Sequence, residues 1–328
     1  AGAYAGLGMY YAVKGNEDKA IFNAKEGISL DKKNPLVFTS FGRTIMLLNK
    51  GKDGDEWIED SFDKFDEAIE IAKETEPRDI KAIATAYFFK GIAAKTAYKF
   101  RDAVQSFKEV IELRASYATE ANEQWEIVQM IERAKPGTKI GAKVALMDKV
   151  GNAEIAVLFI EELKVNELIK KMEKKSYDTD FKAPEDPMKY EADKMIKTEK
   201  ATDIRTHWAK SWIDDVLSTG IMETSPDHTF KPDRKITRAE YSIMLLRVLV
   251  MITGDESLYT KYFGEENSRF NDLRTSHPAY NAAAVCVNRG IMKMYDKIRA
   301  EFGVAKTVSG AEALLIIRDF QNALTMTF

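Results

Sequence analysis

Three landmarks recur in the C-terminal half of this chain at nearly one spacing. Asp203 returns as Asp272, Gly220-Ile221 as Gly290-Ile291 and Glu240 as Glu312, at offsets of 69, 70 and 72 residues. Three landmarks kept in step mean one supersecondary unit built twice, and such a unit buries its apolar face only against another copy. Each copy repeats the same local chemistry. Thr237 with Glu240, and Ser309 with Glu312, have capping-box spacing: the hydroxyl accepts from the N3 amide and the carboxylate reaches back to the N-cap amide. Such a cap contributes about 1 kcal/mol. Gly220 and Gly290 suit left-handed helix C-termini, and Trp208, Ile213 and Leu217 make a helical packing stripe. A degenerate first copy is read in Val150-Gly-Asn-Ala-Glu154 and the apolar run after it, over 136–170.

The first 135 residues follow a different period. Tyr4, Leu7, Gly8, Tyr11 and Ala20 have the spacing of a helix pair in which Gly8 lets one helix approach the other at Ala20. Asn34-Pro35 opens a second copy with Phe38, Phe41, Gly42, Ser61, Phe65 and Ala68, which needs an insertion around 51–56. Tyr87, Gly91, Ala94, Ala103, Phe107, Val110 and Leu113 make a third. These positions resemble the tetratricopeptide (TPR) repeat, with copies at 1–34, 35–80 and 84–117 and a closing helix at 118–134. The resemblance implies a protein-binding face made by the first helix of each pair: Met9 and Val13, then Arg43, Met46 and Leu47, then Phe88, Phe89 and Ile92. The face is mostly apolar, which disfavours a carboxylate clamp. It takes a partner helix or is covered by neighbouring repeats or the next domain.

The C-terminal copies also resemble a known family. Asp203-Ile-Arg-Thr-His-Trp-Ala209, an amphipathic run to Gly220-Ile221, the loop 225–233 and Lys235-Ile-Thr-Arg-Ala-Glu240 together resemble the S-layer homology (SLH) module of bacterial cell-envelope proteins. The second unit spans 201–255 and the third 268–322. The implied fold is all-α: a TPR array followed by a mostly helical, SLH-like pseudo-trimeric domain. Arg238 sits in the first turn of its helix, the wrong end of the dipole for a cation. In SLH proteins the matching arginine contacts an acidic wall polymer, so the resemblance implies anion binding by Arg238, assisted by Lys235 or Arg234. Its equivalents are Asn152 and Gly310, so one cation remains of three. The alternative is a structural block that docks to another envelope protein or to peptidoglycan.

Composition excludes more than it selects. The net charge of −3 supplies no field toward nucleic acid or anionic lipid. Residues 171–200 balance 8 Lys against 8 acidic residues and carry Pro184 and Pro187, which reads as a charged linker rather than a membrane anchor. The most apolar stretch, 241–253, is broken by Arg247 and too short to span a bilayer. The single Cys286 lies in an apolar run and reads as a buried, inert thiol. His207, His228 and His277 have no metal-ligand spacing, and no hydrolase, Walker or dinucleotide motif occurs. The expectation is therefore a non-enzymatic protein with no cofactor and no metal. It is exported to the periplasm or cell surface and works in a multi-protein assembly. Ala1 falls at the first position of a repeat, so we expect residues ahead of it.

Overall fold

The computed structural model describes residues 1–52, 54, 56–173 and 201–325; residues 174–200 of the charged linker lie outside it. The described residues are mostly helical and form two compact units, Ala1–Arg133 and Ala134–Phe328.

In the first unit, α1 (Gly2–Val13) pairs with α2 (Glu17–Leu30), α3 (Pro35–Asn49) with α4 (Trp57–Glu74), and α5 (Ile80–Thr96) with α6 (Phe100–Leu113). Helices α1, α3 and α5 pack in a row, and α7 (Ala118–Ala134) follows. Each turn has a local cause. Asn16, Asn34 and Asp79 accept from backbone amides at the starts of α2, α3 and α5, and Pro35 opens α3 where its missing N–H costs nothing. The Asp79 cap starts α5 four residues ahead of the expected repeat start at 84.

Three glycines set the pair spacing. A Cβ on Gly42 would lie 2.9 Å from the Phe65 ring, and one on Gly91 2.7 Å from the Phe107 ring. On Gly8 it would lie 3.2 Å from the Ala20 carbonyl. Phe65, Phe107 and Ala20 are fully buried, so each pair closes by seating a side chain or backbone where a glycine leaves room.

In the second unit, α8 (Lys139–Ala145), α9 (Asn152–Glu161), α10 (Val165–Glu173) and α11 (Lys210–Ser218) precede α12 (Arg238–Thr253), α13 (Tyr280–Asn288) and α14 (Gly310–Thr325). Helices α9, α12 and α14 start from three segments joined in a closed ring. Val150 N–H donates to Val308 O (3.0 Å), Val308 N–H to Ile236 O (3.2 Å) and Ile236 N–H to Val150 O (3.2 Å). All three side chains are fully buried. A cyclic set of bonds leaves no open backbone edge at the centre of the unit, so each buried donor there has its acceptor. Among the described residues these bridges do not extend into strands.

The loops ahead of α12 and α14 are held by matching aspartates. Asp203 accepts from Phe230 and Lys231 N–H (2.9 and 2.8 Å), and Asp272 from Phe302, Gly303 and Val304 N–H (2.7, 2.7 and 3.0 Å). His207 and His277 each accept, through Nδ1, from the N–H two residues on, at the entries to α11 and α13.

Capping differs among the three ring helices. At α12 both halves of the box form. At α9 Glu154 accepts from Gly151 N–H (2.6 Å), the half that needs no hydroxyl. At α14 Ser309 Oγ accepts from Glu312 N–H (3.2 Å), but the Glu312 carboxylate turns to Arg238. The box expected at Ser309 and Glu312 is thus half-made, because a buried guanidinium outbids a backbone amide for that carboxylate.

Candidate functional site

Two grooves in the second unit correspond at six lining positions. The first, a cavity of about 240 Å³, is lined by Asn152 of α9, by Ile221, Glu223 and Lys231 from the chain between α11 and α12, and by Arg234, Glu240, Met244 and Arg247. The second, about 180 Å³, puts Arg238 where the first has Asn152, Ile291 for Ile221 and Lys293 for Glu223. It puts Glu312 for Glu240, Ile316 for Met244 and Asp319 for Arg247. The salt bridge across each groove is reversed in sign. Glu223 pairs with Arg247 at 3.1 Å, whereas Lys293 pairs with Asp319 at 3.7 Å.

Position one of each ring helix decides what each groove offers. Arg238 is buried. Its Nε donates to Phe302 O at 2.8 Å, its Nη2 to Lys293 O and its Nη1 to the Glu312 carboxylate, and the guanidinium lies 5.1 Å over the Phe302 ring. Burial pushes its pKa down from the ordinary arginine value, and Asp272 and Tyr295 oppose that shift. The misfit with the helix dipole is therefore offset within the protein, by one carboxylate and two carbonyls. Asn152, also buried, donates through Nδ2 to Phe230 O (3.0 Å) and Lys231 O (3.1 Å). Those two bonds fix the amide orientation, and among the described residues no group donates to the buried Oδ1. A buried acceptor that no protein group satisfies is open to a water or a ligand donor.

The three cations singled out from the sequence do not converge. Arg234 lines the first groove and donates to Glu240 Oε1 at 2.5 Å. Burial pushes the Glu240 carboxyl up, but bonds from Arg234 and Thr237 outweigh that and hold it below the usual glutamate range. Lys235 faces the buried Glu154 at 3.9 Å. Arg238 lines the second groove. Lys231 and Arg247 were not singled out as site residues, although Arg247 is the one charge in the apolar stretch 241–253. Asn152 was read only as a lost arginine.

In the first unit, the expected face is partly filled by its own side chains. Met46 and Phe88 are buried; Phe88 stacks on Tyr117 with centroids 4.5 Å apart. Leu47, Phe89 and Ile92 pack around the cluster that holds Met46. Arg43 lies 3.8 Å over the Phe89 ring with its Nε buried and unpartnered, and burial pushes its pKa down. Met9 is half-buried and Val13 is 70% exposed. Among the described residues no group of three or more metal-ligating side chains occurs, and no helix is long and apolar enough to cross a membrane.

Comparison with known proteins adds a family for part of this unit. Residues 202–242 match the S-layer homology domain. The chain is 45% identical over 93 residues to Cell surface glycoprotein 1 of Acetivibrio thermocellus, covering 28% of this chain and 4% of that protein. It is 34% identical over 64 residues to the Cellulosome-anchoring protein of the same organism, covering 17% of this chain and 14% of that one. It is 32% identical over 83 residues to Endo-1,4-beta-xylanase A of Thermoanaerobacterium saccharolyticum, covering 25% of this chain and 7% of that enzyme. The chain thus spans a small part of the length of the curated relatives it matches. An S-layer homology segment shared with such proteins puts this chain in the cell envelope, as an exported protein.

Proposed function

We propose that this chain is a non-enzymatic anchor and scaffold of the cell envelope. The second unit attaches to the wall or to a surface assembly, and the first binds a protein partner. The three ring helices act as three SLH-type units about a pseudo-threefold axis, at 136–170, 201–255 and 268–322. Residues 1–135 act as a TPR-type array. The anchor reading draws on the Cellulosome-anchoring protein, which is an anchor by name.

One observation carries the wall reading: the buried, donor-less Oδ1 of Asn152 in a groove that also holds Lys231, Arg234 and Arg247. An acidic glycan brings a hydroxyl or amide donor for the carbonyl, and its carboxylates compete with Glu240 and Glu223 for Arg234 and Arg247. Arg234 is the first contact. Lys235 supports this groove beside Glu154, and Arg238 braces the second groove through the Phe302 carbonyl. In the first unit, Val13, Met9 and Arg43, which pairs with no acid among the described residues, receive the partner. Leu47, Phe89 and Ile92 shape that face around the buried Met46 and Phe88.

The test is co-sedimentation with purified wall sacculi, with and without their attached polymers. Wild type pellets only with polymer-bearing sacculi, and Arg234→Ala combined with Asn152→Ala abolishes pelleting. Failure to pellet with either preparation removes the wall reading. A second reading has one observation in its favour: the Glu312 carboxylate already fills the guanidinium of the second groove. On that reading the chain is a structural subunit of a larger periplasmic or surface complex and binds no glycan. Crosslinking at Val13 would then capture protein while sacculi capture nothing.

A further inference from the structure

The first unit carries a second opening, on a face other than the α1–α3–α5 row. It lies between α2, α3 and α4 and has a volume of about 310 Å³, near the lower end for ligand pockets. Its floor is apolar. Phe41, Ile45 and Leu48 are each more than nine-tenths buried, and the half-buried Trp57 packs against the cluster that holds the first two. Its rim is acidic: Glu17 on α2, with Asp60 and Asp63 one turn apart on α4. The cations nearby leave that rim largely open. Lys64, which also lines the opening, is held by Glu67. Lys52 stands 3.8 Å from Glu17 with both side chains more than half exposed, a pair of little energetic weight. Among the described residues Asp60 and Asp63 pair with no cation.

We propose that this opening takes a lysine or arginine side chain of a partner polypeptide. Long cationic side chains are apolar along the stem and charged at the tip. The stem fits the floor of Phe41, Ile45 and Leu48, and the tip meets Asp60 and Asp63. The indole of Trp57 lines the same opening, within reach of that cation. A neutral glycan's hydroxyls can bond the carboxylates but leave their charge unneutralised, and an acidic glycan is repelled. The opening holds roughly ten waters' worth of liquid volume, which is the scale of one side chain rather than of a folded segment. The proposal rests on the partner-binding reading of the first unit only for the source of that side chain.

The experiment uses the full chain and three capped heptapeptides that alternate alanine with lysine, with norleucine or with glutamate. Binding is read by calorimetry and by the fluorescence difference between wild type and Trp57→Phe. The lysine peptide is expected to bind saturably and more weakly as salt rises. Asp60→Asn with Asp63→Asn should weaken it at least tenfold without changing the circular dichroism spectrum. The norleucine and glutamate peptides should not bind. Equal binding of the lysine peptide to wild type and the double variant would overturn the site, as would binding of norleucine as tight as lysine, or no lysine binding at all. Val13→Asp separates the two readings. If it alone weakens a captured partner, the α1–α3–α5 face stands and this site falls; if the Asp60/Asp63 variant alone does, the reverse holds.

Discussion

Asn152 and Arg238 hold the same place on two successive ring helices and perform the same task. Each reaches across the ring to a phenylalanine carbonyl, Asn152 Nδ2 to Phe230 O at 3.0 Å and Arg238 Nε to Phe302 O at 2.8 Å. The third member of the set, Gly310, has no side chain to send, and the Val144 carbonyl lies where its Cβ would be. One position thus serves as the joint between neighbouring copies, filled by an amide, a guanidinium or nothing. The residue at that joint also fixes what its groove offers a ligand: an unpartnered acceptor beside Asn152, and an internally satisfied cation at Arg238.

That relationship makes Arg238 a stability residue. Arg238→Ala strands two carbonyls and the half-buried Glu312 carboxylate. Removing one partner of a buried pair costs about 3–5 kcal/mol, and partial exposure of Glu312 puts this case near the lower figure. Urea titration should show a midpoint drop with an unchanged slope. A residue kept for ligand alone would leave the midpoint where it is.

Gly310 gives a sharper contrast. A Cβ there would sit 1.8 Å from Val144 O, a backbone atom that cannot swing aside. Gly310→Ala is expected to cost about 3 kcal/mol or more, since overpacking against fixed atoms exceeds the common range. Gly6, in the exposed face of α1 with nothing within 4 Å, is the control. Gly6→Ala should gain about 0.5–1 kcal/mol from helix propensity. Thermal melting of the two variants reads both signs.

These residues also mark what a sequence can announce. The Thr237–Glu240 box was legible because its two partners are three residues apart and their bond is backbone geometry. The TPR resemblance, for its part, assigned Met46 and Phe88 to one expected face. It could not show that Tyr117, from the connection after α6, stacks on Phe88. Arg238 was read as an anion-binding cation, and its internal acid, Glu312, is 74 residues away. The same distance hid the fate of the Ser309 box, whose carboxylate is drawn off by that arginine. The first groove was missed for a related reason. Its informative atom, Asn152 Oδ1, is notable only because Phe230 and Lys231 take up the other end of the amide.

Acid should loosen the second unit through Asp272. Burial pushes this carboxyl up, but N–H donors from Val304, Phe302 and Gly303 outweigh it and hold it below the usual aspartate range. A group depressed on folding adds stability that is present above its unfolded value, about 3.9, and is lost as pH falls through the folded value. Urea midpoints should therefore fall on the acid side of about pH 4. Asp272→Asn should flatten that fall and lower the neutral-pH stability by about 1 kcal/mol, after allowance for solvent screening.

Cys286 tests the packing of α13 against α12 at the opposite end of the pH scale. The thiol is fully buried and donates to Ser242 O at 3.7 Å, and burial pushes its pKa up to about 12. At pH 8 the folded thiol is therefore about one part in ten thousand thiolate, the reactive form. A disulfide reagent should leave the native protein untouched over minutes and titrate one equivalent in guanidinium. Linkage fixes the alkaline sign. The unfolded thiol ionises near 8.5 while the folded one stays protonated, so stability declines as pH rises from about 8.5 toward 12. Tyr241, raised by burial as well, adds to the decline above about pH 10. Cys286→Ala should remove the slope between about pH 8.5 and 10 and leave the steeper part. A wild-type midpoint that stays flat across that interval would mean the thiol is solvated, and α13 would not be seated on α12 as described.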